Sequence, residues 1–209
     1  MDSEAKLIKR LAAALPSEGQ VPGRTAFSQG LRLGIGDDAA VLHSNRNTDW
    51  VLSCDAFLEG VHFLPATYPA DSAGYKALAR ATSDLAAMGA SPRFFFLTLA
   101  LPPARTGRWF DSFLQGMAKA ARQLGIRLAG GDTTSFPLVA ISITVVGESR
   151  PREVVTRAGA RPGDLIYVSG PLGRAQLGLE LMRKGMGSSA RYRDPRQARK
   201  NSRRNPRTD

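Results

Sequence analysis

The sequence predicts a mixed α/β (α+β) fold, and three observations carry the prediction. Short runs rich in Val, Ile, Leu and Phe recur along the chain, several bounded by Gly or Pro as strands are. Between them lie longer segments whose apolar residues return every three or four positions, as on a helix. The two kinds alternate, which is the pattern of sheets backed by helices rather than of a bundle or a sandwich. With 209 residues and 43% hydrophobic composition, the chain can bury a core.

Leu7, Ile8, Leu11 and Leu15 form one helical stripe over Glu4–Leu15, which Pro16 ends. Gly19–Gln29 reads as a loop. Ala39–His43 and Asp49–Phe57 read as strands. Asp71–Gly89 is the clearest helix, with Tyr75, Leu78, Leu85 and Met88 at near-helical spacing and a Gly89/Pro92 stop. Arg93–Leu101 is a buried strand closed by Pro102 and Pro103. Thr106–Leu124 is a second helix that turns Trp109, Phe113, Met117, Ala120 and Leu124 inward. Strands follow at Ile126–Ala129, Leu138–Gly147 and Asp164–Ser169, and then a helix at Pro171–Lys184. No internal repeat is present.

Composition excludes several classes. The longest apolar run, around Phe94–Leu101, is broken by Thr98, so no transmembrane helix is expected. Asp2 and Glu4 near the start, with no apolar run behind them, give no secretory signal. The lone Cys54 excludes an internal disulfide and an all-cysteine zinc site. A cytoplasmic protein is expected. The net charge of +11 is concentrated: residues 183–209 hold ten Lys/Arg against two Asp, and the rest of the chain 19 against 16. Arg191–Asp209 contains no Leu, Ile, Val or Phe, so 188–209 is expected to be a disordered basic tail. A nucleic-acid binder acting through that tail would show salt-sensitive, sequence-blind affinity. No recognition motif supports one, so only non-specific tail contacts are expected.

Four acidic positions stand in settings where carboxylates can do chemistry. Gly34-Ile35-Gly36-Asp37-Asp38 is a glycine-flanked acidic turn before a strand; turn chemistry alone also accounts for it. Ser53 and Asp55 share one face of a strand by its two-residue period, and a hydroxyl beside a carboxylate suits a hard cation. A strand end turning polar would look the same. Asp84 lies inside a helix, where Asp is a poor former, and a contact with Arg80 one turn earlier is the plain alternative. Asp132 follows Gly130-Gly131 and precedes two threonines, a group able to serve phosphates or to make a tight turn. No Walker loop is present. Carboxylates of this kind typically hold Mg²⁺, which then binds polyphosphate.

In order and approximate spacing, GIGDDAAVL, LSCDAFLEGVHF, YKALARATSDLAAMGA, GGDTT and TRAGARPGDLIYVSG resemble the thiamine-monophosphate kinases. These belong to the superfamily of aminoimidazole ribonucleotide synthetase, selenophosphate synthetase and the hydrogenase maturation dehydratase. The resemblance covers about Glu4 to Lys184. It implies an N-terminal domain over 1–150 with a four-stranded mixed sheet backed by helices, the start of a second domain over 151–187, and a homodimer in which two such sheets pair. It implies ATP-dependent phosphorylation of thiamine phosphate to thiamine diphosphate, with several Mg²⁺ ions as cofactors. Position by position, it implies Asp38, Ser53, Cys54, Asp55, Asp84 and Asp132 at the metals. Gly131, Asp132 and Arg157 fall at ATP, and His62 at thiamine phosphate. No acid or base is assigned, because the acceptor phosphate is already largely ionised.

The sequence departs from the family at several points. Cys54 stands where threonine is common, which leaves its carbonyl but no hydroxyl. Ala81 stands where asparagine is frequent. The family's D-L-S-D-G-L and G-G-E-D-Y-E-L strings are missing. A catalytically incomplete fragment, or another ATP-using member of the superfamily, is the alternative this leaves. Selenophosphate synthetase is disfavoured, since no Cys precedes Gly34.

Overall fold

The structure, a computed structural model, describes residues 31–33, 37–44, 47–66, 68–168 and 170–184. The expected helix at Glu4–Leu15, the loop at Gly19–Gln29, the glycines of the acidic turn and the tail 188–209 lie outside these residues. Contacts divide the chain into two units after Ala160.

The first unit is a six-stranded sheet with helices on one face. The strands are β1 (Leu31–Leu33), β2 (Ala40–Ser44), β3 (Thr48–Leu58), β4 (Ser91–Leu101), β5 (Arg127–Ser135) and β6 (Ala140–Ser149). Their order is β1-β2-β3-β6-β4-β5. All neighbours are antiparallel except β4 and β5, which run parallel and are joined through helix α2 (Arg108–Leu124). Helix α1 (Ala70–Ala87) connects β3 to β4 and lies against β3, β4 and β6. The sheet thus has two strands more than the four expected. β3-β6-β4-β5 form the wide part, and β1 pairs with β2 to extend it past β3. Three residues of β1 are too short for an alternation to register in the sequence.

Burial follows the strand period. On β6, Ile141, Ile143 and Val145 are buried and the residues between them half-buried. They meet Val51 and Phe57 of β3, Phe95 and Leu99 of β4, and Ala77, Leu78, Ala81 and Leu85 of α1 in one core. Removing a side chain as large as Phe113 from water contributes about 1.5–3 kcal/mol. Helices α1 and α2 cross at backbone contact. A Cβ on Gly74 would stand 2.0 Å from the Phe113 carbonyl oxygen, and one on Gly116 1.7 Å from that of Asp71. Helix α2 ends at Gly125 in the left-handed conformation (φ 67°), which glycine adopts without strain. At the β2–β3 end, Asp49 is fully buried, its charge paired with Arg32 and its other oxygen 3.1 Å from His43 Nδ1.

Two expected features differ. The GGDTT segment is no turn: β5 runs on through it, paired with β4 as far as Ser135. Its glycine serves a close strand approach, since a Cβ on Gly131 would lie 1.9 Å from the Leu97 carbonyl oxygen. The second correction lies in the unit from Arg161 onward. No strand forms over the described part of Asp164–Ser169, and Ile166 and Tyr167 are 95% and 84% exposed. An apolar run becomes a strand only beside a pairing partner, and among the described residues none of the six strands takes it up. That unit contains helix α3 (Arg174–Arg183) and a turn in which the Arg161 amide donates to the Asp164 carboxylate at 2.8 Å.

Candidate functional site

Strand β3 and helix α1 meet along a polar seam. Ser53 and Asp55 point from β3 toward the helix face of the sheet, between buried Val51 and Phe57. Lys76, Arg80 and Asp84 are spaced four apart on α1 and so form one stripe facing them. Ser53 Oγ donates to Asp84 Oδ2 at 2.6 Å. Arg80 lies 3.2 Å from the Asp55 carboxylate and donates to the Ala56 carbonyl at 3.1 Å. Lys76 Nζ donates to the His62 carbonyl at 3.2 Å. Arg80 therefore pairs across to the strand rather than along its own helix with Asp84.

Asp38 and Arg157 close the upper end of this seam. Arg157 Nε donates to Asp38 Oδ1 at 3.0 Å, and a terminal guanidinium nitrogen donates to the same oxygen. The Arg157 amide donates to Asp37 Oδ2 at 3.1 Å, so both acids of the turn engage one residue. The hydrogen bond and charge of Asp38 raise the Arg157 pKa above the ordinary arginine value, and Asp37 and Asp84 act in the same direction. The arginine thus gathers Asp37, Asp38 and Asp84 into one electrostatic neighbourhood. Asp37 as a partner was not foreseen; the doubled Asp-Asp was the signal for it.

His62 sits in the turn after β3. Its Nδ1 accepts the Leu58 amide at 2.9 Å, which puts the neutral ring's proton on Nε2. Burial, then the Arg80 charge, pull its pKa below 6.5; Lys76 adds to the fall and Asp55 opposes it. Its ring stacks on Phe57 at 5.6 Å.

Cys54 and Asp132 stand elsewhere. Cys54 lies on the open face of the sheet, exposed, with Sγ 3.4 Å from Ser142 Oγ. Register places Asp132 beside Thr98, then Ser142, then Ala56, on that same face. Its carboxylate accepts the Thr133 amide at 2.8 Å, and Gly131 precedes it at the sheet edge. So Asp38, Ser53 and Asp84 come together with Arg157, Asp55 follows along β3, and Asp132 does not join them. Among the described residues, no three His, Cys, Asp or Glu side chains stand close enough to cage one ion. The seam still fits a hard cation by its chemistry. Its donors are carboxylate and hydroxyl oxygens, and Mg²⁺ is commonly held by one or two carboxylates, with water and phosphate completing its shell.

Residues 36–149, more than half of the chain, match the family described as AIR synthase related protein, N-terminal domain. The chain belongs to this family. Among its AIR synthase related relatives, the thiamine-monophosphate kinase of Synechococcus elongatus is 37% identical over 170 residues, covering 81% of this chain and 51% of that protein. The thiamine-monophosphate kinase of Escherichia coli K12 is 41% identical over 152 residues, covering 73% and 46%. The chain thus spans about half the length of these curated relatives. Of the solved structures, AaThiL complexed with AMPPCP and TMP superposes with a TM-score of 0.74 at 29% identity, covering 96% of this chain and 57% of that one. Thiamine-monophosphate kinase from Stenotrophomonas maltophilia K279a gives 0.64 at 38% identity, covering 91% and 57%.

Proposed function

We infer that this chain carries the metal- and nucleotide-binding part of a thiamine-phosphate kinase. The reaction transfers the γ-phosphoryl group of ATP to the phosphate of thiamine phosphate, giving thiamine diphosphate and ADP. The observation that carries this reading is the Asp38–Arg157 pair beside Ser53–Asp84, a phosphate-binding cation next to oxygen donors for a hard metal ion. The chain that holds it resembles AaThiL, whose complex contains AMPPCP, an ATP analogue, and TMP.

Asp38, Ser53, Asp55 and Asp84, with the Cys54 carbonyl, are the groups of this seam that would hold Mg²⁺. When bound, the ions neutralise the repulsion between anionic donor and acceptor. Arg157 presents a planar, permanently charged fork suited to a phosphate. Gly131 and Asp132 stand apart from this seam, on the β5 edge of the sheet, and are given no part in it. His62, held neutral, offers Nε2–H as a donor to the acceptor substrate. No residue is given a proton-transfer role, because the ionised acceptor phosphate is itself the nucleophile.

The sheet supports a homodimer. Its helix-free face carries Leu52, Val146, Phe94 and Phe96, and the two phenylalanines are 42% and 45% exposed. A second copy laid on that face would cover them. We place the protein in the cytoplasm, where ATP and thiamine phosphate are available; no described helix is long and apolar enough to cross a membrane.

The test is formation of thiamine diphosphate from ATP and thiamine phosphate, followed by chromatography with and without Mg²⁺. Mg²⁺-dependent product above the protein-free rate supports the reading, however slow. ADP release that ignores thiamine phosphate, or phosphorylation of thiamine itself, contradicts it.

A further inference from the structure

Two arginines touch candidate metal carboxylates, and they are anchored differently. Among the described residues, the Arg157 side chain is held by the Asp38 carboxylate alone, and it is 64% exposed. A nucleotide phosphate offers equivalent oxygens, so Arg157 can exchange one partner for the other. Arg80 is held at two points of different kind. One is the Asp55 carboxylate at 3.2 Å, and the other is the Ala56 main-chain carbonyl at 3.1 Å. Its side chain is 39% exposed, and that of Asp55 24%. The carbonyl belongs to the β3 ladder and stays put whatever ligand arrives, so this guanidinium is fixed beside Asp55.

The surroundings reinforce the arrangement. Lys76, one turn before Arg80, is tied to the His62 carbonyl and lies over the Phe57 and Tyr68 rings at 5.6 and 5.3 Å. Asp84, one turn after Arg80, is turned to Ser53. The face of α1 toward β3 therefore runs from cation to cation to carboxylate. A divalent ion approaching Asp55 meets Arg80 held in place, whereas one approaching Asp84 has Arg80 a helical turn away and faces Arg157, which can turn to a phosphate.

We propose that Arg80 is a resident counterion of Asp55, a built-in positive charge that takes part of the place of a divalent ion. This rests on the reading of Asp55 as a magnesium ligand. It predicts two classes of ion: a tighter one served by Asp38, Ser53 and Asp84, and a weaker one at Asp55, weakened by Arg80 itself.

The experiment is a Mn²⁺ titration of the full 209-residue chain, with free Mn²⁺ counted by electron paramagnetic resonance. Wild type is compared with Arg80→Met, Arg80→Lys and Asp84→Asn, the fold of each checked by circular dichroism. Removing a nearby fixed charge should tighten the weaker class about three- to tenfold in Arg80→Met. Arg80→Lys should bind like wild type. If the methionine variant does not fold, Arg80→Gln carries the same expectation, since it keeps a donor for the Ala56 carbonyl. Unchanged Mn²⁺ binding on loss of the Arg80 charge, with binding lost in Asp84→Asn, overturns this proposal alone. No Mn²⁺ bound by any form overturns it together with the magnesium reading of the site.

Discussion

Ser53 Oγ and Asp84 Oδ2 stand 2.6 Å apart, joining the middle of β3 to the last turns of α1. The pair is part of the packing and part of the candidate site at once. A hydrogen bond to a charged acceptor contributes roughly 1.5–3 kcal/mol, less where water reaches it. Ser53→Ala should therefore lower stability by about 1 kcal/mol in urea unfolding. It should also weaken Mn²⁺ binding, because an oxygen donor is lost and Asp84 is freed to turn. A variant unchanged in both respects would show that the contact does neither job.

Gly116→Ala tests the crossing of the two helices. The new methyl carbon would fall 1.7 Å from the Asp71 carbonyl oxygen, which is backbone and cannot rotate away. The helices must separate, at a cost of about 3 kcal/mol in the overpacking range. A clear fall in the urea midpoint is expected. An unaltered midpoint would mean that the helices are less closely packed than described.

His62 should make stability depend on pH. Its folded pKa lies below the unfolded value of 6.5, through burial and the charges of Arg80 and Lys76, with Asp55 opposing. Below 6.5 the unfolded chain takes up the proton first. Stability is therefore full above 6.5 and falls as the pH drops from 6.5 through the lowered folded value. In His62→Gln that part of the slope should vanish when unfolding is followed from pH 7.5 to 5. A slope of opposite sign attributable to His62 would contradict the assigned surroundings.

Phe96→Lys tests the helix-free face. Phe96 is 45% exposed and faces away from the core, so the fold should survive the charge. If two copies meet there, sedimentation should show dimer for wild type and monomer for the variant. Dimers unaffected by the change would place the contact elsewhere.

The strands and helices that bury one face were legible because burial imposes a period. The alternation of β6 and the stripe of α2 both come through with their buried residues in place. The edges were less legible, since β1 is three residues long and Gly130-Gly131 reads as a turn whether or not a strand lies beside it. The run from Leu165 to Val168 shows the converse: it has strand composition but no partner. Within the site, the residue types and the facing of Ser53 and Asp55 could be read from the strand period. Their pairing with Asp84 and Arg80 depends on how a helix 25 to 31 residues later lies across the strand. No local pattern encodes that. The separation of Asp132 follows from sheet order and was equally hidden.

The Asp84 neighbourhood is proposed to bind a nucleotide through a divalent ion. The direct measurement is calorimetric titration of AMPPCP into wild type and Asp84→Asn, each with and without Mg²⁺. Wild type should show saturable, Mg²⁺-dependent binding. Asp84→Asn should bind at least about tenfold more weakly, since a lost charged partner typically removes more than about 1.4 kcal/mol. Equal AMPPCP binding by both proteins, or binding indifferent to Mg²⁺, would contradict it.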